Sequence, residues 1–75
     1  MPEGWGSHPS RRSLTQRELQ ILEALAEGLP NKTIAHQLSL SEETIKSHLR
    51  SMYEKLGAAD RAHAVSIALR QRLIE

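Results

Sequence analysis

Asn31-Lys32-Thr33-Ile34-Ala35-His36-Gln37-Leu38, then Ser39-Leu40-Ser41, then Glu42 through Leu56 and Gly57, is the stretch that decides the fold. It reads as a short helix, a three-residue turn and a longer helix. Asn31 has the side-chain oxygen of an N-cap for the first helix. Ile34, Ala35 and Leu38 fall on one face of it, and Ala35 is small where two helices must approach closely. Ser41 has the N-cap role for the second helix, with Glu42 and Glu43 at the positive end of its dipole. Gly57 can close that helix in the left-handed conformation. Within it Ile45, Leu49, Met52 and Leu56 recur at steps of four and three, which defines a buried face. Glu43, Lys46, Ser47, Arg50 and Glu54 occupy the opposite side. The pattern is a helix-turn-helix whose second helix is free to enter a DNA major groove.

Upstream, Leu14-Thr15-Gln16-Arg17-Glu18 starts another helix, because Thr15 and Glu18 have capping-box spacing. Leu19, Leu22, Leu25 and Ala26 carry its apolar stripe, which Ile21 and Ala24 widen. Gly28 and Pro30 end it. Its Glu23 and Glu27 would repel phosphate, so this helix is expected to face away from DNA. Downstream, Asp60 is the expected N-cap of a fourth helix from about Arg61 to Arg72 or Leu73. Ala64, Val65, Ala68 and Leu69 are its expected core face. His63, Ile67 and Ile74 form a second stripe, at steps of four and seven, that reads as a partner surface or as ordinary exposed aliphatics. Residues 1–13 hold two Gly, two Pro and three Ser without periodicity, and read as a disordered tail or linker. Gly6-Ser7-His8 within them resembles a purification-tag scar. Residues 14–75 are the expected folded domain.

Composition sets bounds. A chain of 75 residues holds one small domain. With no Phe, one Trp and one Tyr, the core must be aliphatic. The absence of Cys removes disulfides and thiolate metal sites and is compatible with a reducing cytoplasm. No apolar run approaches the roughly 18 residues of a membrane span, and the N-terminus has no signal-peptide pattern. Catalysis fails on inventory. His36, His48 and His63 lie on three separate helices without a carboxylate or thiol at ligand spacing, and neither a phosphate loop nor a nucleophile motif is present. No metal or cofactor is expected. Charge argues weakly against nucleic acid. From Leu14 onward eight Lys and Arg balance eight Asp and Glu, whereas a DNA binder shows a basic footprint. Charge must then be segregated by face. From pattern alone, Lys46 and Arg50 read equally well as groove residues and as a solvated face. A helical protein-interaction module without DNA binding is the alternative reading, slightly favoured by Glu42, Glu43 and Glu54.

The ordered motifs carry a family resemblance. They are Leu14-Thr15-x-Arg17-Glu18, Gly28-x-x-Asn31-Lys32-x-Ile34-Ala35-x-x-Leu38 and Ser41-x-x-Thr44-Ile45-Lys46-x-His48. Lys55-Leu56-Gly57, Arg61-x-x-Ala64-Val65 and Ala68 complete the set. The chain resembles the LuxR-type (GerE/FixJ/NarL-like) DNA-binding domain of bacterial transcription regulators over residues 14–75. The resemblance implies an all-α, compact four-helix domain that binds double-stranded DNA in the cytoplasm. It also implies an upstream regulatory domain, such as that of a two-component response regulator, and homodimer contact through the fourth helix, for which His63, Ile67 and Ile74 are the candidates. In such domains the residues at the positions of Lys46, Ser47 and Arg50 approach base edges. Those at Asn31, Lys32, Thr44, His48, Lys55 and Arg61 lie near the DNA backbone or brace the recognition helix. His48 reads equally as a semi-buried histidine bonding a carbonyl and as a phosphate donor. Two positions depart from the pattern. Arg72 stands where Gly is common, which predicts a longer fourth helix, and Ser47 stands where larger residues are common.

Overall fold

The computed structural model describes residues 14–74; the tail assigned to residues 1–13 lies outside them. Four helices follow one another: α1 Gln16–Ala26, α2 Asn31–Leu38, α3 Glu42–Leu56 and α4 Arg61–Arg70. No strand occurs among the described residues. α2 packs on α3, while α1 and α4 pack on each other and on α3. Ile21, Leu22, Ile34, Ile45 and Met52 are fully buried at the centre. In α1 the buried residues are Glu18, Ile21, Leu22, Ala24 and Leu25. Leu19 is only half-buried and Ala26 is exposed, so the inward stripe is rotated from the expected one. No helix among the described residues is long and apolar enough to cross a membrane.

Three helix starts are built from local side-chain caps. Thr15 Oγ1 accepts the Glu18 N–H at 3.0 Å while Glu18 Oε1 accepts the Thr15 N–H at 2.9 Å. Ser41 Oγ accepts the Thr44 N–H at 3.0 Å, and Asp60 Oδ1 accepts the His63 N–H at 2.9 Å. α2 differs from expectation. Pro30 is its N-cap and has no side-chain acceptor to offer, and Asn31 is already the first helical residue. The Asn31 side-chain oxygen is turned instead to Arg61.

All four helices end by the same device. A residue in the left-handed conformation lets the next N–H reach back to a free carbonyl of the last turn. Those bonds are Leu29 N–H to Ala24 O at 3.1 Å, and Leu40 to Ala35, Ala58 to Tyr53 and Leu73 to Ala68, each at 2.9 Å. The left-handed residues are Gly28, Ser39, Gly57 and Arg72. A Cβ added at Gly28 or Gly57 would meet nothing within 4 Å, so glycine serves the backbone angle there and not a close approach.

The close of α4 corrects two expectations. The helix does not run longer for want of a glycine. It stops at Arg70, and Arg72 itself takes a φ of 59°. The turn it makes folds Leu73 and Ile74 back into the core. The inward face of α4 is accordingly Ala64, Ile67 and Ala68. Ile67 and Ile74, expected on an outer stripe, are 8% and 5% exposed, whereas Leu69, expected inside, is 50% exposed. Val65 is half-buried. Ala64 and Ala68 belong to both alternatives. Leu73 and Ile74, which follow the turn, are buried in the same core cluster as Ile67.

Candidate nucleic-acid interface

α3 is held along one side by Ile45, Leu49, Met52 and Leu56, all buried. That leaves Lys46, Ser47 and Arg50 exposed on the other side, with Glu43 and Glu54 beside them. Lys46, Arg50 and Lys32 make no ion pair. Among the described residues the one ion pair joins Lys55 to Glu18. Three cations on the helix-turn-helix are therefore free to meet an external anion. At the start of α3 the Ser41 and Thr44 hydroxyls lie 2.9 Å apart, so Thr44 is engaged with the cap. His48 is half-buried, and no hydrogen bond to a carbonyl holds it among the described residues.

Two cations that read as phosphate contacts are engaged internally. Lys55, in the last turn of α3, donates to Glu18 Oε1 at 2.8 Å. The two side chains are 33% and 4% exposed. Burial alone would push the Glu18 carboxyl up. The hydrogen bonds it accepts from Lys55 and the Thr15 backbone N–H, with the neighbouring Ser51 hydroxyl and the Lys55 charge, outweigh that and hold it below the ordinary carboxylate value. One carboxylate thus caps α1 and anchors the far end of α3. Arg61, at the start of α4, donates from Nη1 to Asn31 Oδ1 at 3.1 Å and from Nη2 to the Leu29 carbonyl. Nearby, burial pushes the Tyr53 phenol above its ordinary value, with Arg61 opposing and Asp60 adding to the rise. α3 is clamped at its C-terminal end and free at its centre.

The remaining candidates are dispersed. His63 is exposed, and its Nδ1 accepts the Ala59 N–H at 3.0 Å. With Ile67 and Ile74 in the core, the three residues do not form a common surface. No cluster of three His, Cys, Asp or Glu able to hold a metal occurs among the described residues. The capping role of Glu18 is visible in its spacing from Thr15. Its bond to Lys55 spans 37 positions and leaves no local trace.

Residues 12–68 match the profile of the bacterial regulatory proteins of the luxR family (GerE). The transcriptional regulatory protein YdfI of Bacillus subtilis (strain 168) is 48% identical over 61 residues, which are 81% of this chain and 29% of that protein. The nitrate/nitrite response regulator protein NarP of Escherichia coli (strain K12) is 48% identical over 59 residues, 79% of this chain and 27% of that one. Among solved structures, the response regulator ChrA of a heme-sensing two-component system superposes with a TM-score of 0.79 at 46% identity. The match covers 81% of this chain and 30% of that one. This chain spans less than a third of the length of these relatives.

Proposed function

This chain belongs to the LuxR family of bacterial regulatory proteins, whose members are DNA-binding transcription regulators and not enzymes, and from that premise we propose that it reads a specific double-stranded DNA site with α3 in the major groove. The observation that carries this reading is the exposed middle of α3. Lys46 and Arg50 stand one turn apart with no internal partner, Ser47 lies beside them, and the opposite face is fully committed to the core. Lys46, Ser47 and Arg50 are assigned to base edges. Asn31, Lys32, Thr44 and His48 are assigned to the backbone, which needs only reach and hydrogen-bond donors. Lys55 and Arg61 brace the fold from their internal bonds. Glu42, Glu43 and Glu54 are also exposed, and a protein-interaction role without DNA rests on them alone. Enrichment of duplexes from a random-sequence pool separates the two. A defined motif is the expected result, and no retention of any duplex at low salt contradicts it.

The domain is proposed to serve as the effector end of a longer cytoplasmic protein with an upstream regulatory domain, as in a response regulator. Residues 14–75 are proposed to fold without residues 1–13. Their deletion is expected to change unfolding free energy by less than about 1 kcal/mol, as for an untethered terminus. A urea melt that loses its cooperativity on deletion would show that the tail is part of the fold.

Pairing on DNA is proposed through the outer face of α4, with Leu69 at its centre. Leu69 is the exposed large hydrophobic among the described residues, and Ala62, Val65 and Ser66 lie on the same face one and two turns earlier. The patch is too small to hold a dimer in free solution. Two copies on half-sites one helical turn apart share one duplex, so the second binds at a raised effective concentration. Leu69→Glu is expected to leave the melting curve and single half-site affinity nearly unchanged while abolishing cooperative filling of a two-half-site duplex. Cooperativity that survives this substitution would exclude α4 as the contact.

A further inference from the structure

Arg61 is a cation at the unfavourable end of a helix. It is the first residue of α4, where the backbone dipole is positive, and no acidic residue lies in that first turn. Asp60, which precedes it, directs Oδ1 to the His63 N–H. The side chain is half-buried, and its fork reaches 30 and 32 positions back along the chain, to Asn31 Oδ1 and to the Leu29 carbonyl.

That pair of bonds has a directional consequence. A guanidinium only donates, so the oxygen of the Asn31 amide must be the atom that faces it. The Asn31 NH2 group is then turned away from Arg61, and no acceptor among the described residues receives it. The same clasp holds Leu29, the last link residue before Pro30, and so fixes how the chain enters α2. α2 has no side-chain cap of its own. In a helix-turn-helix this first helix crosses the DNA backbone, and Lys32, next along, is exposed and unpaired.

We propose that Arg61 is a positioning residue for DNA binding: its fork holds the Leu29–Asn31 link so that the Asn31 NH2 donates to a DNA phosphate, and Arg61 itself takes no phosphate. This rests on the DNA-binding reading above. It also assigns a reason for arginine at this position. A planar fork with two fixed donors holds two acceptors in register, which an ammonium does not.

The test is a salt series of binding to a random-sequence duplex, since phosphate contacts do not depend on sequence. The full chain is compared with Arg61→Met, Arg61→Lys, Asn31→Ala and the two double variants, each well below its melting temperature. Both Arg61 variants are expected to bind about tenfold more weakly, the loss of one good hydrogen bond to a charged group. Neither should change the slope of log K against log salt, and neither should matter by more than about twofold once Asn31 is Ala, because coupled residues are not additive. A phosphate contact by Arg61 itself predicts the reverse. Arg61→Lys would keep its affinity, Arg61→Met would lower the slope by about 0.9, and the loss would persist in the Asn31→Ala background. Any of those three results overturns the proposal. Should Arg61→Met not fold, Arg61→Lys decides alone, through its affinity and its dependence on Asn31. A wild-type chain that binds no duplex removes the DNA-binding reading, and this assignment with it.

Discussion

Ile67→Glu is expected to unfold the domain. The side chain sits between Ala64 and Ala68 on the inward face of α4 and is 8% exposed. Replacing it removes roughly 2 kcal/mol of apolar burial and places a carboxyl in the apolar core cluster. Burying an unpaired carboxyl, charged or neutral, costs several kcal/mol more. A domain of this size has about 3–9 kcal/mol in total, at 0.05–0.15 per residue over some 60 residues, so the sum exceeds or exhausts it. Far-ultraviolet circular dichroism at 25 °C is expected to show lost helix and no cooperative melt. A folded Ile67→Glu domain with normal melting would mean that α4 presents this face outward. Leu69→Glu, one half turn away, is the matched control and should remain folded.

Lys55→Met is expected to cost about 1–3 kcal/mol of stability at neutral pH. Breaking a buried ion pair by removing one partner costs about 3–5 kcal/mol, and solvent screening at the partly exposed Lys55 reduces that. Glu18 would keep its bond from the Thr15 N–H but lose its cation. The loss has a pH signature. The folded pKa of Glu18 lies below its ordinary value of 4.5. Such a carboxyl stabilises the fold fully above the unfolded value and loses that contribution as pH falls through the folded one. The difference between wild type and Lys55→Met should therefore be complete at pH 7 and shrink progressively below about pH 4.5. Urea melts of both proteins at pH 7 and pH 3.5 read it directly. The salt dependence of DNA binding is expected to stay the same in Lys55→Met, because Lys55 is committed to Glu18. A difference that does not change with pH would mean that the pairing of the Lys55 charge with Glu18 is not what stabilises the fold.

These two cases mark where sequence was readable and where it was not. The starts of α1, α3 and α4 follow from patterns that repeat every three or four residues and from caps that bond three positions away. Thr15, Ser41 and Asp60 are all of that kind. Gly28 and Gly57 announce their turns by residue type. Ser39 and Arg72 take the same conformation without announcing it, which is why α4 was expected to continue. The facing of α4 was not fixed by local spacing, because Ala64 and Ala68 serve either rotation. In the structure Ile67 is buried with Leu73 and Ile74, which come after the turn. Lys55 and Arg61 read as phosphate contacts, and their internal bonds stayed hidden, for a similar reason. Their acceptors lie on other helices, at separations that no periodicity reports. The outer face of α3 was legible throughout, since it is defined by what the buried face leaves over.

The most direct test of the account is the affinity of Arg50→Ala and Lys46→Ala for an enriched cognate duplex and for a random one, measured side by side. A base contact through two hydrogen bonds discriminates by about 1–3 kcal/mol, so each substitution should weaken the cognate complex by about five- to 150-fold. The random complex should lose only the share due to one removed charge. Equal weakening on both duplexes would mean that the exposed face of α3 supplies charge alone, and would contradict its assignment as the reading helix.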